Sequence, residues 1–321
     1  MIFSIDRLQY STTQNRFLLY EFIKVNNIDY HINELRNNSD NFWGNLYSGI
    51  SVVDIEKIDF INNLEKNISK YIIIYQQDIN NRLIKLYYEP PTYNCHYEIL
   101  SFNDLGTWFR NLNAIDGATH SKSLGSVREV NQDIYTNSII KNLYNVETYS
   151  DDGGLEITKR LLNGNETRGF DVDLFQYIPS TNESIFYEFL KRENNYINNI
   201  QAHPMRYCWT GTTKDNKMKF MSLWRAKNYF GGKLYTINYS DDPNEKISIC
   251  EVLQLDNNRG ILAENKYCMS QNVFISWLKD MNVYTKTHNQ YLSDFKCINY
   301  GNEFFNDWKN NKRNYGIEFN L

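Results

Sequence analysis

Residues 168–193 read RGFDVDLFQYIPSTNESIFYEFLKRE, and the alternation within this stretch decides the fold. Phe170–Ile178 and Ser184–Leu190 are apolar runs of strand length separated by the turn residues Pro179–Glu183, which predicts an antiparallel hairpin. Asp171 and Asp173 stand two apart on the first strand and therefore share a face, with Phe170, Val172 and Leu174 on the other. Glu188 lies inside the apolar run IFYEFL on the second strand, where an unpaired carboxylate is costly to bury. Lys191 and Arg192 follow at once.

Upstream of the hairpin, residues 131–147 carry Ile134, Ile139, Ile140, Leu143 and Tyr144 at helix-like spacing, and Leu155–Leu162 gives a further helical turn or two. Downstream, Lys214–Phe230 predicts a helix with Phe220, Leu223, Trp224 and Phe230 on one side and Lys214, Lys217 and Arg225 on the other. Gly231 and Gly232 stop it. Lys233–Tyr239 and Ile247–Leu255 read as strands, and Val273–Met281 as a short amphipathic helix. The order helix, strand, strand, helix, strand, strand, helix predicts an α/β domain over 126–321, with a central mixed β-sheet flanked by helices.

Toward the N-terminus, Tyr71–Tyr75 and Leu83–Tyr88 predict a hairpin around Asp78–Asn81, and Asn103 or Asp104 is placed to cap a helix running to Leu112. These give an N-terminal α+β domain over 1–115, expected to serve recognition or assembly. The small and polar run at about 114–128 reads as a linker. No internal repeat is evident.

Hydrophobic residues make up 41% of the 321 and aromatics 15%, enough for packed cores and too much for a disordered chain. The five cysteines are odd in number and widely spaced, which argues against a disulfide framework. MIFSIDRLQY reaches Asp and Arg within seven residues and is not read as a leader, and no run approaches the ~20 apolar residues of a bilayer span. The expectation is a cytoplasmic protein with no membrane partner. The net charge is −4, yet residues 191–233 hold nine Lys and Arg against Glu193 and Asp215. A basic field within an acidic chain is an anion-binding footprint.

Asp173, Glu188 and Lys191, placed between a preceding helix and a following one, resemble the PD-(D/E)XK nuclease superfamily over roughly residues 131–240. The resemblance implies a restriction-endonuclease-like core and a magnesium-dependent endonuclease, with DNA favoured over RNA as the nucleic-acid partner. It also implies a restriction or phage-defence role, and a homodimer if both strands are cut. Asp173, with Asp171 its rival, looks like the metal-binding Asp, Glu188 like the second ligand, Lys191 like the catalytic lysine, and Glu156 like a helical acid used by some members. Spacing departs from the family, because strict alternation sends Glu188 and Lys191 to opposite faces. Three readings follow: a β-bulge near Phe189 or Leu190 realigns them, the role has moved to Lys217 or Lys219, or the chain binds nucleic acid or assembles without cutting. Arg192, Arg206, Trp209, Lys214, Lys217, Lys219 and Arg225 are the expected nucleic-acid contacts, as cations for phosphates and an aromatic for stacking. His203 with Cys208 is weak evidence for a nucleophile pair.

Overall fold

The computed structural model describes residues 1–37, 50–64, 67–76, 82–90, 94–115, 131–149, 153–163, 167–194, 197, 203–204, 209, 215–283, 292 and 296–300. In chain order the elements are β1 (Ile2–Ser11), β2 (Arg16–Val25), α1 (Ile28–Asn37), α2 (Val52–Asn62), β3 (Ser69–Gln76), β4 (Leu83–Tyr88), β5 (Cys95–Leu100) and α3 (Phe102–Ile115). Then come α4 (Asn131–Tyr144), α5 (Gly153–Leu162), β6 (Phe170–Ile178), β7 (Glu183–Lys191), α6 (Asp215–Phe230), β8 (Gly232–Tyr239), β9 (Lys246–Asp256), β10 (Gly260–Ser270), α7 (Gln271–Asn282) and β11 (Lys296–Tyr300). The chain is α/β, with mixed sheet flanked by helices. Among the described residues no helix is long and apolar enough to cross a membrane.

Two compact units emerge. The first holds Ser4–Asn137 and Glu147–Asp171, and the second holds Met1–Phe3, Ser138–Val146 and Val172–Leu321. The division expected between 115 and 126 therefore falls inside the first unit, and α5, read from sequence as part of the second domain, belongs with the first. Most of the expected linker, from residue 116 on, lies outside the described residues, as does the turn at Asp78–Asn81.

In the first unit β1 and β2 form an antiparallel hairpin, β3 lies parallel to β2 after a helical crossover, and β4 and β5 add antiparallel. In the second, β6 and β7 form the hairpin, β8 lies parallel to β7 after α6, and β9 and β10 add antiparallel. In each run a serine-capped helix follows these strands: Ser101 Oγ accepts the Asp104 N–H before α3, and Ser270 Oγ accepts the Val273 N–H before α7, after which β11 adds antiparallel to β10 in the second unit. The cap of α3 is thus Ser101, where the sequence suggested Asn103 or Asp104. The chain carries one architecture twice, so the absence of a repeat inferred from sequence is corrected here.

Side chains repeat with the topology. Asp-x-x-Gln-Tyr occurs at 6–10 and again at 173–177, and Tyr-Glu-Phe-Ile-Lys at 20–24 answers Tyr-Glu-Phe-Leu-Lys at 187–191. The buried amides of Gln9 and Gln176 donate to the last turn of each unit's closing helix, at Leu112 O (3.1 Å) and Met281 O (2.8 Å). The hydroxyls of Tyr10 and Tyr177 donate to Asn15 and Asn182, the left-handed turn residues of the two hairpins. Tyr20 stacks on Tyr71 beside Trp108, and Tyr187 on Tyr235 beside Trp277. These rings pack one face of each sheet against its closing helix.

The opposite sheet face of the second unit receives α6, through Phe230 on Phe175 and Phe186. Gly231 ends α6 at φ +66, a conformation glycine adopts without strain. Gly232 then lets β8 approach β7, since a Cβ there would lie 1.6 Å from Ser184 O.

Candidate functional site

The hairpin β6–β7 is paired from Ile178 opposite Glu183 to Leu174 opposite Tyr187. Beyond that pair Asp173 Oδ2 accepts the Phe189 N–H at 2.6 Å. The carboxylate takes the place of a ladder carbonyl, and a charge-assisted bond of this kind fixes its orientation. Glu188 shares that face and is buried. From the start of α6, Lys219 brings Nζ to 2.9 Å from Glu188 Oε2 and 3.6 Å from Asp173 Oδ1. The Asp173 and Lys219 side chains remain 18% and 22% exposed, so solvent or a ligand reaches them.

Lys191 does not join this cluster. β7 pairs with β8 without a register shift from Ser184–Gly232 to Lys191–Tyr239, so the expected bulge is absent and ordinary pleating stands. Lys191 lies on the same strand face as Tyr187 and Phe189, opposite Glu188, and its Nζ pairs with Asp241 at 2.5 Å. The expected convergence of Lys191 on Asp173 and Glu188 is corrected: the cation beside them is Lys219 on the crossover helix.

The other expected site residues are scattered. Asp171 is exposed at the start of β6, and Glu156 is exposed in the first turn of α5 in the first unit. Arg192 follows β7, its N–H bonded to Tyr239 O. Trp209 is half-buried, donates its indole N–H to Asn257 O and meets Phe220 edge-on, which is a packing role rather than a stacking platform. Lys217 is half-buried and Arg225 exposed on α6. Arg206 and Lys214 lie outside the described residues. Ion pairs with Asp241, Glu188 and Glu251 engage Lys191, Lys219 and Lys233, which thins the basic field inferred from sequence.

The first unit contains the same constellation, and sequence reading missed it. Asp6 Oδ2 accepts the Phe22 N–H at 2.7 Å, Glu21 Oε1 accepts the Asp6 N–H at 3.2 Å, and Lys57 of α2 pairs with Glu21 Oε2 at 2.7 Å. Fifteen residues separate Asp6 from Glu21 and fifteen separate Asp173 from Glu188. The YEFIK and YEFLK matches are the signal that could have found it. In this copy the ion pair is sealed, with the Glu21 and Lys57 side chains 3% and 6% exposed, while Asp6 is half-buried and packed so closely on Gly154 that a Cβ there would come within 2.5 Å of Asp6 Cγ.

The copies diverge across their sheets. Glu21 faces Ile72, then Leu86, then Tyr97 in successive strands. Glu188 faces Thr236, then Cys250, then Lys266. The first unit shows that apolar residues suit this row, so the buried polar row of the second is not required by the fold. Burial, reinforced by the Glu264 carboxylate, pushes the Cys250 thiol well above its usual range. No family model, curated protein or solved structure matches the chain.

Proposed function

We propose that the second unit hydrolyses phosphodiester bonds of nucleic acid, DNA in preference to RNA, at Asp173, Glu188 and Lys219. The observation that carries this reading is the ammonium of Lys219 held against two neighbouring carboxylates in a cluster that stays partly open. Two carboxylates side by side form the hard-oxygen donor set magnesium prefers, so the residues present fit that ion, with Asp173 and Glu188 as its holders. When bound, such an ion supplies Lewis-acid stabilisation of the phosphoryl oxygens. Phe189 N–H keeps Asp173 oriented, burial keeps Glu188 in one conformation, and Lys219 sets a positive charge where charge develops on the phosphate. A restriction or phage-defence role is an extension by family resemblance.

A second reading, a nucleic-acid-binding or assembly protein without catalysis, draws on the Asp6–Glu21–Lys57 copy, in which the buried Lys57–Glu21 pair serves as a structural clasp. Incubating the purified chain with labelled DNA and RNA across a magnesium titration separates the two. Magnesium-dependent cleavage that falls about a hundredfold or more in Glu188→Gln and Asp173→Asn supports the hydrolase. Nucleic-acid binding with no cleavage at any magnesium concentration supports the second reading.

A further inference from the structure

We propose that His203, Cys250 and Glu264 form a binding site for a borderline divalent cation, zinc by preference, that is separate from the carboxylate cluster. Cys250 is on β9 and Glu264 on β10, two residues along from Lys266, the residue paired with Cys250. Their side chains therefore share a sheet face. His203 comes from the segment between β7 and α6. All three are buried, and one ligand atom from each lies within 4.8 Å of the other two. Glu264 Oε2 is shared: it stands 2.7 Å from His203 Nε2 and 2.5 Å from Cys250 Sγ. Its second oxygen, Oε1, is buried and has no hydrogen-bond partner among the described residues. Glu264 itself is 0% exposed.

A buried carboxylate with an imidazole nitrogen and a thiol crowded on one oxygen and no partner among the described residues on the other is expensive to keep without further positive charge. Lys266, directly opposite Cys250 on β10, supplies some charge nearby. A cation bound by all three groups offsets far more, and it turns the thiol into a thiolate ligand. Sulfur, imidazole nitrogen and carboxylate oxygen are the donor types zinc takes, and three protein ligands leave a fourth position for water. Around such an ion the ligand atoms stand roughly 3.5 Å apart, so Glu264 Oε2 and Cys250 Sγ separate by about 1 Å on binding. The mixed soft and hard donors distinguish this site from the all-oxygen set at Asp173 and Glu188. The first unit supplies a partial internal control: at the row position of Cys250 it has Leu86, so the fold does not require a thiol there.

The test uses the full chain stripped of metal and titrated with cobalt(II), then with zinc(II) as competitor. The expected result is one equivalent of cobalt bound, with a thiolate-to-cobalt charge-transfer band that zinc abolishes, and a rise in thermal midpoint with zinc. Cys250→Ser removes the band, while Cys95→Ser and Cys268→Ser keep it. Glu264→Gln, a near-isosteric change that retains the fold, weakens zinc binding about a hundredfold or more. Asp173→Asn leaves the thiolate-to-cobalt band unchanged, which separates this site from the hydrolase reading. The proposal is overturned if the folded chain binds neither ion at one equivalent, or if the band persists in Cys250→Ser. Unaltered zinc affinity in folded Glu264→Gln overturns it as well.

Discussion

One ion pair occurs twice in this chain, in two environments, and the consequences of breaking it differ accordingly. In the first unit Lys57 and Glu21 are both buried, and Lys57 Nζ also donates to Ser4 Oγ at 3.3 Å. Lys57→Met leaves the Glu21 charge uncompensated, so urea denaturation should show a loss of about 3–5 kcal/mol. The paired change Lys57→Met with Glu21→Leu removes both charges and should recover most of that loss. A Lys57→Met chain as stable as the parent would contradict a clasp at this position. In the second unit the trio is partly open, screening is stronger and the stability cost of Lys219→Met should be well below that of Lys57→Met. In the proposed hydrolase, Lys219 would contribute charge directed at the phosphate.

At the scale of elements, helix α6 does two things: it buries Phe220, Leu223 and Phe230 against the sheet and it delivers Lys219. Its outward residues Lys217 and Arg225 are the described candidates for phosphate contact. If each meets one phosphate, replacing either should reduce the salt slope of nucleic-acid affinity by about one unit. A slope unchanged in both variants returns them to ordinary surface charge. Gly232→Ala should destabilise the second unit severely, because its Cβ would collide with Ser184 O. An unaltered denaturation midpoint would contradict the tight β7–β8 approach.

The elements of the second unit were largely legible, since β6, β7, α6, β8, β9 and α7 announce themselves by period and by turn residues. β10 was not, because GILAENKYCMS interrupts its apolar alternation with Glu264, Asn265 and Lys266, of which Lys266 belongs to the polar row and Glu264 lies beside it on the same face. Asp173 and Glu188 were readable as a strand pair. Lys219 was one of two named substitutes, but only the crossover of α6 onto β7 selects it over Lys191. The repeat stayed hidden because the two crossovers differ in length and sequence, leaving identity only at hairpins and the closing helices.

For the molecule as a whole, both units hold tyrosines whose hydroxyls burial drives upward: Tyr71 in the first, with Glu89 adding to the effect, and Tyr187 and Tyr235 in the second. Each is neutral when folded, whereas its ordinary value in an unfolded chain is 10.0. Above that pH the unfolded chain binds fewer protons than the native one, so stability falls as pH rises. The contribution is fully present below about pH 9 and drains away above about pH 10. Denaturation midpoints should therefore hold steady from about pH 7.5 to 9 and drop steeply beyond pH 10, less steeply in Tyr187→Phe. A midpoint that is flat to about pH 11 would contradict buried, neutral tyrosines. The repeat gives the molecule one buried lysine–carboxylate pair and one partly open, and the proposed function assigns the chemistry to the open one. The most direct test of that division is single-turnover cleavage of DNA in magnesium by the parent chain, Lys219→Met and Lys191→Met. The account predicts a loss of about 10²–10³-fold in Lys219→Met and a change of less than about twofold in Lys191→Met. Equal rates in the parent and Lys219→Met, or a loss confined to Lys191→Met, would contradict it.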